Sequence, residues 1–280
     1  MKLRSLLFVP ADRPERFVKA AQSGADAIIL DLEDSVSLGR KDTARAAAAD
    51  WLTGERPLTT FVRLNPLDSA HVDADLAAIA GTRPDGIMLP KAEGDASVRA
   101  LLDRLGDSPV PILPIATETP AAIFEMGSYR AVAGHLAGVT WGAEDLPAAI
   151  GALTSRSADG SYTAPYQMVR ALTLFAAHAA HVAAIETVYP AIKDEAGLAV
   201  YAARGAHDGF TGMLALHPAQ VPIINAAFTP GDEAVAHARA VVDAFAAVPD
   251  AGVLMLDGQM IDAPHLLQAR KILERAGVTL

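Results

Sequence analysis

Cysteine is absent from the 280-residue sequence. The chain therefore has no disulfide bond, no thiol nucleophile and no zinc or iron–sulfur site built on cysteine. A bound metal ion would have to use oxygen or imidazole ligands. Long apolar runs are also missing, because no stretch approaches the roughly 18 unbroken apolar residues of a membrane-spanning helix. We therefore expect no association with a membrane.

Basic residues are scarce: 23 Lys and Arg stand against 33 Asp and Glu, for a formal net charge of −10. This balance argues against nucleic acid as a partner, so an anionic ligand must be held by a local cation cluster or a metal ion. The amino terminus carries basic residues before a short apolar run, but Pro10 and further charges interrupt that run. Because the segment does not fit a signal peptide, we expect a cytoplasmic protein.

Hydrophobic residues make up 51% of the chain and occur in short runs separated by alanine-rich helical segments. The runs of strand length cover residues 5–10, 26–31, 59–64, 85–90, 110–116, 138–143, 182–187 and 212–217. Apolar strands that alternate with helices in this way predict an α/β fold of the (β/α)8 TIM barrel type. An open, doubly wound sheet is the structural alternative, but no G-x-G-x-x-G follows any of the runs.

The pattern changes after the eighth run. A helix, a hairpin and a last helix are predicted over residues 229–248, 252–264 and 265–276. Asp257-Gly258 would supply the turn of the hairpin. Because these elements exceed the needs of an eight-stranded barrel, we predict a barrel domain over residues 1–228. The appendage over residues 229–280 would pack on the barrel or on a neighbouring subunit.

Charged or polar side chains follow almost every predicted strand, and in a barrel the active site lies at the carboxyl ends of the strands. They are Arg13, Asp31, Glu33, Asp34, Arg63, Asn65, Lys91, Glu93, Glu118, Glu144, Asp145, Glu186 and His217. Exposure at strand ends explains part of this set. It does not explain why both signs of charge meet there in an acidic chain, so the pattern favours a catalytic mouth.

Glu118 and Asp145 follow adjacent strands, so their carboxylates can converge on one cation. Mg²⁺ prefers a few carboxylate oxygens and completes its shell with water or substrate oxygens. Further acids in residues 30–34 would repel each other at the same mouth, and a divalent cation relieves that repulsion. Arg63 is suited to bind a substrate carboxylate in bidentate fashion.

The chain contains, in this order, the segments RSLLFVPADRPERF (4–17), GADAIILDLEDSV (24–36), FVRLN (61–65), DGIMLPKAE (85–93), ATET (116–119), WGAEDL (141–146) and LDGQMIDAP (256–264). In these segments it resembles the citrate lyase β-subunit and malyl-CoA (citramalyl-CoA) lyase group of the HpcH/HpaI aldolase superfamily. The resemblance implies a Mg²⁺-dependent barrel enzyme, usually a homotrimer. Such an enzyme makes or breaks a carbon–carbon bond beside a coenzyme A thioester, with a 2-oxo acid as the other product.

The resemblance also implies roles for single residues. Glu118 and Asp145 would be the Mg²⁺ ligands, and Arg63 would hold the carboxylate of the 2-oxo acid. Asp262 would reach over from a neighbouring subunit as the acid/base group. The implied substrate contacts are Phe8, Arg13, Lys19 and the stretch Gly142, Ala143 and Glu144, whose backbone amides would help to bind the oxo acid. Groups that surround the metal and hold water would be Asp31, Glu33 and Asp34.

Three positions depart from the pattern of this group: Ala11 and Thr187 replace the usual glycine, and Met213 replaces a common Lys or Arg. Loss of a cation at Met213 would weaken binding of the CoA phosphates or change the acyl carrier. The substrate therefore stays open among malyl-, citramalyl- and citryl-thioesters, carried by CoA or by a protein. Cleavage, synthesis and thioester hydrolysis are also open.

Two other readings remain. Lys91 ends the fourth strand, where a Schiff-base aldolase would place its amine, although a lysine among so many acids is expected to be ion-paired. Alternatively, the chain is a citrate lyase β-subunit that acts on a carrier-bound citryl thioester within a complex. The basic residues Arg40, Lys41 and Arg45 are interpreted as a solvated helix face paired with Asp42.

Overall fold

The computed structural model describes residues 1–106 and 110–278. Its main sheet consists of eight parallel strands: β1 (Ser5–Pro10), β2 (Ala27–Asp31), β3 (Thr59–Arg63), β4 (Gly86–Leu89), β5 (Ile112–Pro114), β6 (Gly138–Thr140), β7 (Ala183–Glu186) and β8 (Gly212–Ala215). Each strand lies within one of the predicted apolar runs. The spatial order is β5-β4-β3-β2-β1-β8-β7-β6.

The two outer strands of this order, β5 and β6, are joined by shorter pairings. Isolated bridges link Ile112 to Leu136 and Ile115 to Thr140. The Ala116 N–H donates to the Thr140 carbonyl at 2.9 Å. The sheet therefore forms a nearly closed barrel, and the predicted TIM-barrel fold is confirmed.

Helices alternate with these strands: α1 (Phe17–Ala21), α2 (Lys41–Thr53), α3 (Val72–Ile79), α4 (Gly94–Leu105), α5 (Pro120–Phe124), α6 (Asp145–Ile150), α7 (Ala164–Ala179), α8 (Glu195–Asp208) and α9 (Gln220–Ala227). Local signals explain several of their ends. Thr119 caps α5 by accepting a hydrogen bond from the Ala122 N–H, and Pro120 follows it in the first turn. Gly106 ends α4 with a φ of 62°, which a side chain would disfavour.

The barrel interior is filled by apolar side chains from its strands. The buried cluster includes Leu6, Ile29, Phe61, Met88, Leu113, Ile185 and Leu214. Gly86 leaves room for the ring of Phe61, because a Cβ at that position would overlap that ring. The interior is thus a packed core and not a pore, so substrate can reach only the ends of the strands.

Packing divides the chain into two compact units, Met1–Asn225 and Ala226–Leu280. The second unit contains α10 (Asp232–Ala247), β9 (Val253–Leu256), β10 (Gln259–Asp262) and α11 (Ala263–Arg275). Its strands form an antiparallel hairpin whose turn residues, Asp257 and Gly258, both have positive φ. The helices pack through Ala238, Val241, Phe245, Ala269 and Leu273. Within the described residues, no helix has the length and apolarity needed to cross a bilayer.

Candidate active site

A cavity of about 280 Å³ opens at the carboxyl ends of the barrel strands. Its charged wall contains Asp31, Asp34, Arg63, Glu118, Glu144 and Asp145. Its apolar wall contains Phe8, Ile115, Trp141, Val188, Leu214 and Leu216. Gly142, Ala143 and Thr187 also line it. The structure therefore brings six of the thirteen side chains that the sequence placed at the mouth into the lining of one cavity.

Arg63 is the centre of this wall. Its Nε and Nη2 atoms donate to the two carboxylate oxygens of Asp31, each at 2.7 Å. Its Nη1 atom lies 2.9 Å from Oε2 of Glu33, and its guanidinium carbon lies 4.8 Å from the centre of the Phe8 ring. Asp31 therefore occupies the Nε–Nη2 edge of the guanidinium, and Glu33 lies beside Nη1.

Asp31 holds the loop that follows β2 as well as Arg63. Its two carboxylate oxygens accept the N–H groups of Glu33 at 2.9 Å and Ser35 at 3.1 Å. Burial raises the pKa of Asp31, but the charge and hydrogen bonds of Arg63 outweigh burial and leave that pKa below its usual value. Asp31 is thus an ionised anchor for both Arg63 and the loop.

Glu33 has a different environment although it lies only two residues along the chain. Its side chain is buried, and neither carboxylate oxygen has a hydrogen-bond partner of good geometry among the described residues. Its charged neighbours are Arg63 and the Lys91 ammonium, the latter at 3.5 Å. Burial raises the pKa of Glu33 to about 7 despite the opposing charge of Arg63.

Lys91 contacts the acids of the mouth through both its main chain and its side chain. Its N–H donates to Oε2 of Glu118 at 2.6 Å, and its ammonium lies 3.4 Å from Oδ1 of Asp145. Lys91 has a φ of 50°, an unusual value for a residue with a side chain. Burial lowers the pKa of Lys91, but Glu33, Asp145 and Glu118 together raise it above its usual value. The expected ion pairing is confirmed, and it disfavours the neutral amine that a Schiff base requires.

Glu118 is a buried carboxyl group of the cavity whose pKa is raised. Burial raises its pKa to about 8, with further contributions from Glu33 and Asp145. Gly142 passes close to it, because a Cβ at that position would lie 3.3 Å from Cγ of Glu118. The Gly142 N–H donates to Oγ1 of Thr117 at 3.0 Å. That amide is therefore engaged within the protein and does not point freely at a substrate.

No group of three or more Asp, Glu or His side chains within residues 1–106 and 110–278 is arranged to hold a metal ion by itself. Glu118 and Asp145 both line the cavity; the Lys91 main-chain N–H donates to Glu118, and the Lys91 ammonium lies 3.4 Å from Asp145. Mg²⁺ is usually bound by one or two carboxylates, with substrate oxygens and water as the other ligands. The donor set of the cavity fits that requirement.

Two residues that the resemblance placed in the site lie elsewhere, and a third belongs to the second compact unit. Arg13 and Lys19 are exposed and do not line the cavity, and Arg13 lies 3.9 Å from Asp12. Asp262 belongs to the second compact unit, where it caps α11 and its Oδ1 lies 2.6 Å from Nδ1 of His265. The substrate or catalytic roles of all three stay predictions.

Two polar strand ends do not face the mouth as the sequence pattern suggested. Glu186 is fully buried and accepts hydrogen bonds from Trp141 Nε1 and Arg170 Nε, both at 2.6 Å, and from the Tyr201 hydroxyl. It supports the cavity wall from behind through Trp141. His217 accepts the Ala219 N–H and is exposed outside the cavity lining. Strand-end position alone could not reveal these directions.

Of the interpretation given to the basic residues after the acidic run, the pairing with Asp42 is confirmed for Arg45, but the solvent exposure is wrong for Lys41 and Arg45. Arg40 pairs with Asp12 at 2.6 Å, whereas Lys41 and Arg45 are buried. Arg45 pairs with the buried Asp75 at 2.8 Å in addition to Asp42. The signal was present in the helical period: α2 buries Lys41, Ala44, Arg45, Ala48 and Leu52 on one face.

A barrel with carboxylates and an arginine gathered at the carboxyl ends of its strands has the architecture of a TIM-barrel enzyme. The sequence profile described as HpcH/HpaI aldolase/citrate lyase matches residues 4–218. The chain therefore belongs to the HpcH/HpaI aldolase/citrate lyase family, and the predicted resemblance is confirmed.

Known relatives extend over nearly the whole chain. A citrate lyase subunit beta-like protein of Mycobacterium tuberculosis is 40% identical over 97% of this chain and 94% of its own length. A (3S)-malyl-CoA thioesterase of Cereibacter sphaeroides is 33% identical over 98% of this chain and 94% of its own length. The crystal structure of CitE from M. tuberculosis with magnesium, acetoacetate and coenzyme A superposes with a TM-score of 0.85 at 38% identity, covering 99% of this chain and 98% of that one.

Proposed function

We propose that this protein is a Mg²⁺-dependent carbon–carbon lyase that cleaves or forms a 3-hydroxyacyl-CoA thioester, such as citramalyl-CoA or malyl-CoA. Its products in the cleavage direction are a 2-oxo acid and a short acyl-CoA. The observation that carries the proposal is the single cavity lined by Arg63, Glu118 and Asp145. The similar CitE structure, which holds magnesium, acetoacetate and coenzyme A, supports it.

Glu118 and Asp145 would hold the Mg²⁺ ion. The fit rests on the acids at the mouth: burial raises the pKa of Glu118, which lines the cavity, and of the neighbouring Glu33, whose oxygens have ion-pair contacts but no hydrogen bond of good geometry. Carboxylates in that condition are stabilised by an added cation. A bound Mg²⁺ would polarise the hydroxyl and carboxylate oxygens of the substrate and offset the charge that develops on them.

Arg63 would bind the substrate carboxylate through its Nη1–Nη2 edge, while Asp31 keeps the guanidinium plane in place. Cleavage removes the hydroxyl proton and breaks the bond between the carbinol carbon and the carbon next to the thioester. The products are the 2-oxo acid and the thioester enolate, which takes a proton on carbon. The Asp262 carboxylate of a neighbouring subunit in a homotrimer would accept the hydroxyl proton and then donate it to the enolate carbon.

The decisive experiment measures release of pyruvate from citramalyl-CoA and of glyoxylate from malyl-CoA, with Mg²⁺ and with EDTA. We expect release that stops with EDTA and returns when Mg²⁺ is added back. Free thiol is assayed in parallel, because a thioesterase would release it while a lyase leaves the acyl-CoA intact. Absence of oxo acid from both substrates, with the protein folded and Mg²⁺ bound, would contradict the proposal.

A second candidate is the citrate lyase β-subunit role, with a citryl group on a carrier protein as substrate. The name of the mycobacterial relative favours it. Met213 gives no support to a carrier protein as the acyl carrier. Its side chain is fully buried in β8, so a Lys or Arg in its place would not lie on the surface. Co-purification with partner chains, together with activity only on a carrier-bound thioester, would favour this role.

A further inference from the structure

Lys41 is a buried lysine at the start of α2, and it does not line the cavity. Its side chain is among the least exposed cationic groups of the chain, at 6% relative exposure for the residue. The ammonium donates to the carbonyl oxygens of Leu32 at 2.6 Å and Glu33 at 2.7 Å, and to Oδ1 of Asn65 at 2.8 Å. Its three N–H donors thus match three acceptors, none of which is a carboxylate.

The hydrogen bonds continue behind the cavity through other buried groups. Asn65 donates from Nδ2 to the Leu32 carbonyl at 3.0 Å and to Oδ2 of Asp75 at 2.6 Å. Asp75 is completely buried and accepts the Nε–H of Arg45 at 2.8 Å through its other oxygen. A buried network that is satisfied in this way holds its members in one arrangement.

The acceptors of Lys41 belong to the two chain segments that meet at the ion pair of Asp31 and Arg63. Leu32 and Glu33 belong to the acidic loop, defined here as Asp31–Ser35, whose carboxylates contact Arg63. Asn65 lies two residues after Arg63, at the end of β3. The ammonium therefore ties the acidic loop to the segment after β3 at the point where Asp31 and Arg63 meet.

We propose that Lys41 is a positioning residue, which aims the carboxylates of the acidic loop at Arg63 by holding the main chain of that loop from behind. The expected effect of Lys41 on catalysis rests on the proposed lyase function. Without the ammonium, the carbonyls of Leu32 and Glu33 lose a charged donor in a buried place. The loop would then shift or loosen, although every residue of the cavity is still present.

The test compares Lys41→Met with Arg4→Met. Both variants replace a cation by an unbranched apolar side chain, but Arg4 pairs with Asp26 at 2.8 Å beneath the amino ends of the strands. Hydrogen exchange of the peptide that covers the acidic loop is measured by mass spectrometry in each folded variant. We expect faster exchange at the Glu33 and Ser35 amides in Lys41→Met and no change in Arg4→Met.

Kinetics supply the second readout. Loss of an orienting partner typically costs 10–100-fold in activity, so we expect kcat of Lys41→Met to fall by about that factor. Correctly folded Arg4→Met should keep the wild-type kcat. Lys41→Arg, which retains the charge and the donors, should recover part of the loss, whereas a purely structural role predicts wild-type kcat in every folded variant.

The outcomes separate the inference from the function on which it rests. Unchanged exchange in the acidic loop of Lys41→Met overturns the positioning role, whatever the activity of the wild type. Equal losses of kcat in Lys41→Met and Arg4→Met would overturn it as well. If exchange is faster in Lys41→Met but the wild type releases no oxo acid, the positioning role is sustained and the lyase function is contradicted.

Discussion

The two ends of the barrel manage charge in opposite ways. At the amino ends of the strands, Asp26 accepts three hydrogen bonds from Arg4, and the Arg56 guanidinium is held by the Leu52 and Arg83 carbonyls and by Asp85. At the carboxyl ends, Glu33 and Glu118 are buried beside further acids, and burial raises the pKa of each of them. Asp26 at one end of the strands thus has its pKa lowered by a paired cation, whereas Glu33 and Glu118 at the other end have raised pKa values even though Arg63 and Lys91 lie nearby.

Cavity size alone would have pointed to the wrong end. The space near Arg56 and Asp85 measures about 510 Å³, larger than the cavity of about 280 Å³ at the mouth. Among its polar groups, the Arg56 guanidinium is already held by two carbonyls and by Asp85. Groups with shifted pKa values that converge in a cleft are the better sign of a functional site. This comparison leads to three tests.

The largest effect is expected for Asp145→Asn at the mouth. The amide keeps the size of the side chain but removes a charged oxygen ligand, so turnover should fall by more than about 10³-fold with the fold intact. The measurement is oxo acid release together with Mg²⁺ binding by calorimetry. Asp85→Asn at the other end is the control and should keep its kcat. Undiminished activity of Asp145→Asn would remove this residue from the ligand set.

A loss of about 10²–10⁴-fold, the usual contribution of a general acid or base, is expected for Asp262→Ala. Mg²⁺ binding should be retained, since this residue is not proposed as a ligand. Co-expression with Asp145→Asn provides a sharper test, because mixed oligomers would contain some sites with neither substitution. Recovery of activity would support donation of Asp262 by a neighbouring subunit, and a persistent loss would contradict it.

The smallest effect on function is expected for Asp26→Asn at the amino end, which should lower the free energy of unfolding by ~1–3 kcal/mol and leave kcat unchanged. Burial raises the pKa of Asp26, but the hydrogen bonds of Arg4 bring it below the usual value. The carboxylate therefore stabilises the fold above the unfolded-state pKa, and this stability is lost as the pH falls through the folded-state pKa.

Denaturant unfolding at pH 7 and below about pH 4, where aspartate begins to protonate, would measure that loss. The difference in stability between the wild type and Asp26→Asn should shrink on acidification. A difference that is the same at both pH values would show that ionisation of Asp26 contributes nothing. A reduced kcat in this variant would break the contrast between the two ends.

Much of the mouth could be predicted because parallel strands end on one side of a barrel. That rule alone brought Arg63, Glu118 and Asp145 together from separate parts of the sequence. It failed for Glu186, which turns away from the mouth to meet Trp141 and Arg170. Strand position states where a residue lies along the barrel, whereas the packing of its neighbours decides where its side chain points.

Lys41 shows a second kind of gap. Its charge suggested that the side chain is exposed to solvent, but Lys41 lies on the buried face of α2, under the acidic loop. The hydrogen bond from the Lys91 main-chain N–H to Glu118 could not be predicted from the sequence, because it depends on a positive φ and not on a side-chain type. The contacts of Lys41 and of the Lys91 main chain therefore help to set the geometry of Arg63 and of the carboxylates around it.

The amino-acid sequence by itself determined the order of strands and helices, the hairpin of the second unit and the charged residues at the mouth, because these follow from hydrophobic period, turn residues and strand ends. Only the tertiary structure decided which acids are compensated. Burial and nearby donors act through space, so Asp31 stays ionised against Arg63 while Glu33, two residues away, has its pKa raised. That difference in surroundings marks the mouth of the barrel as the functional end.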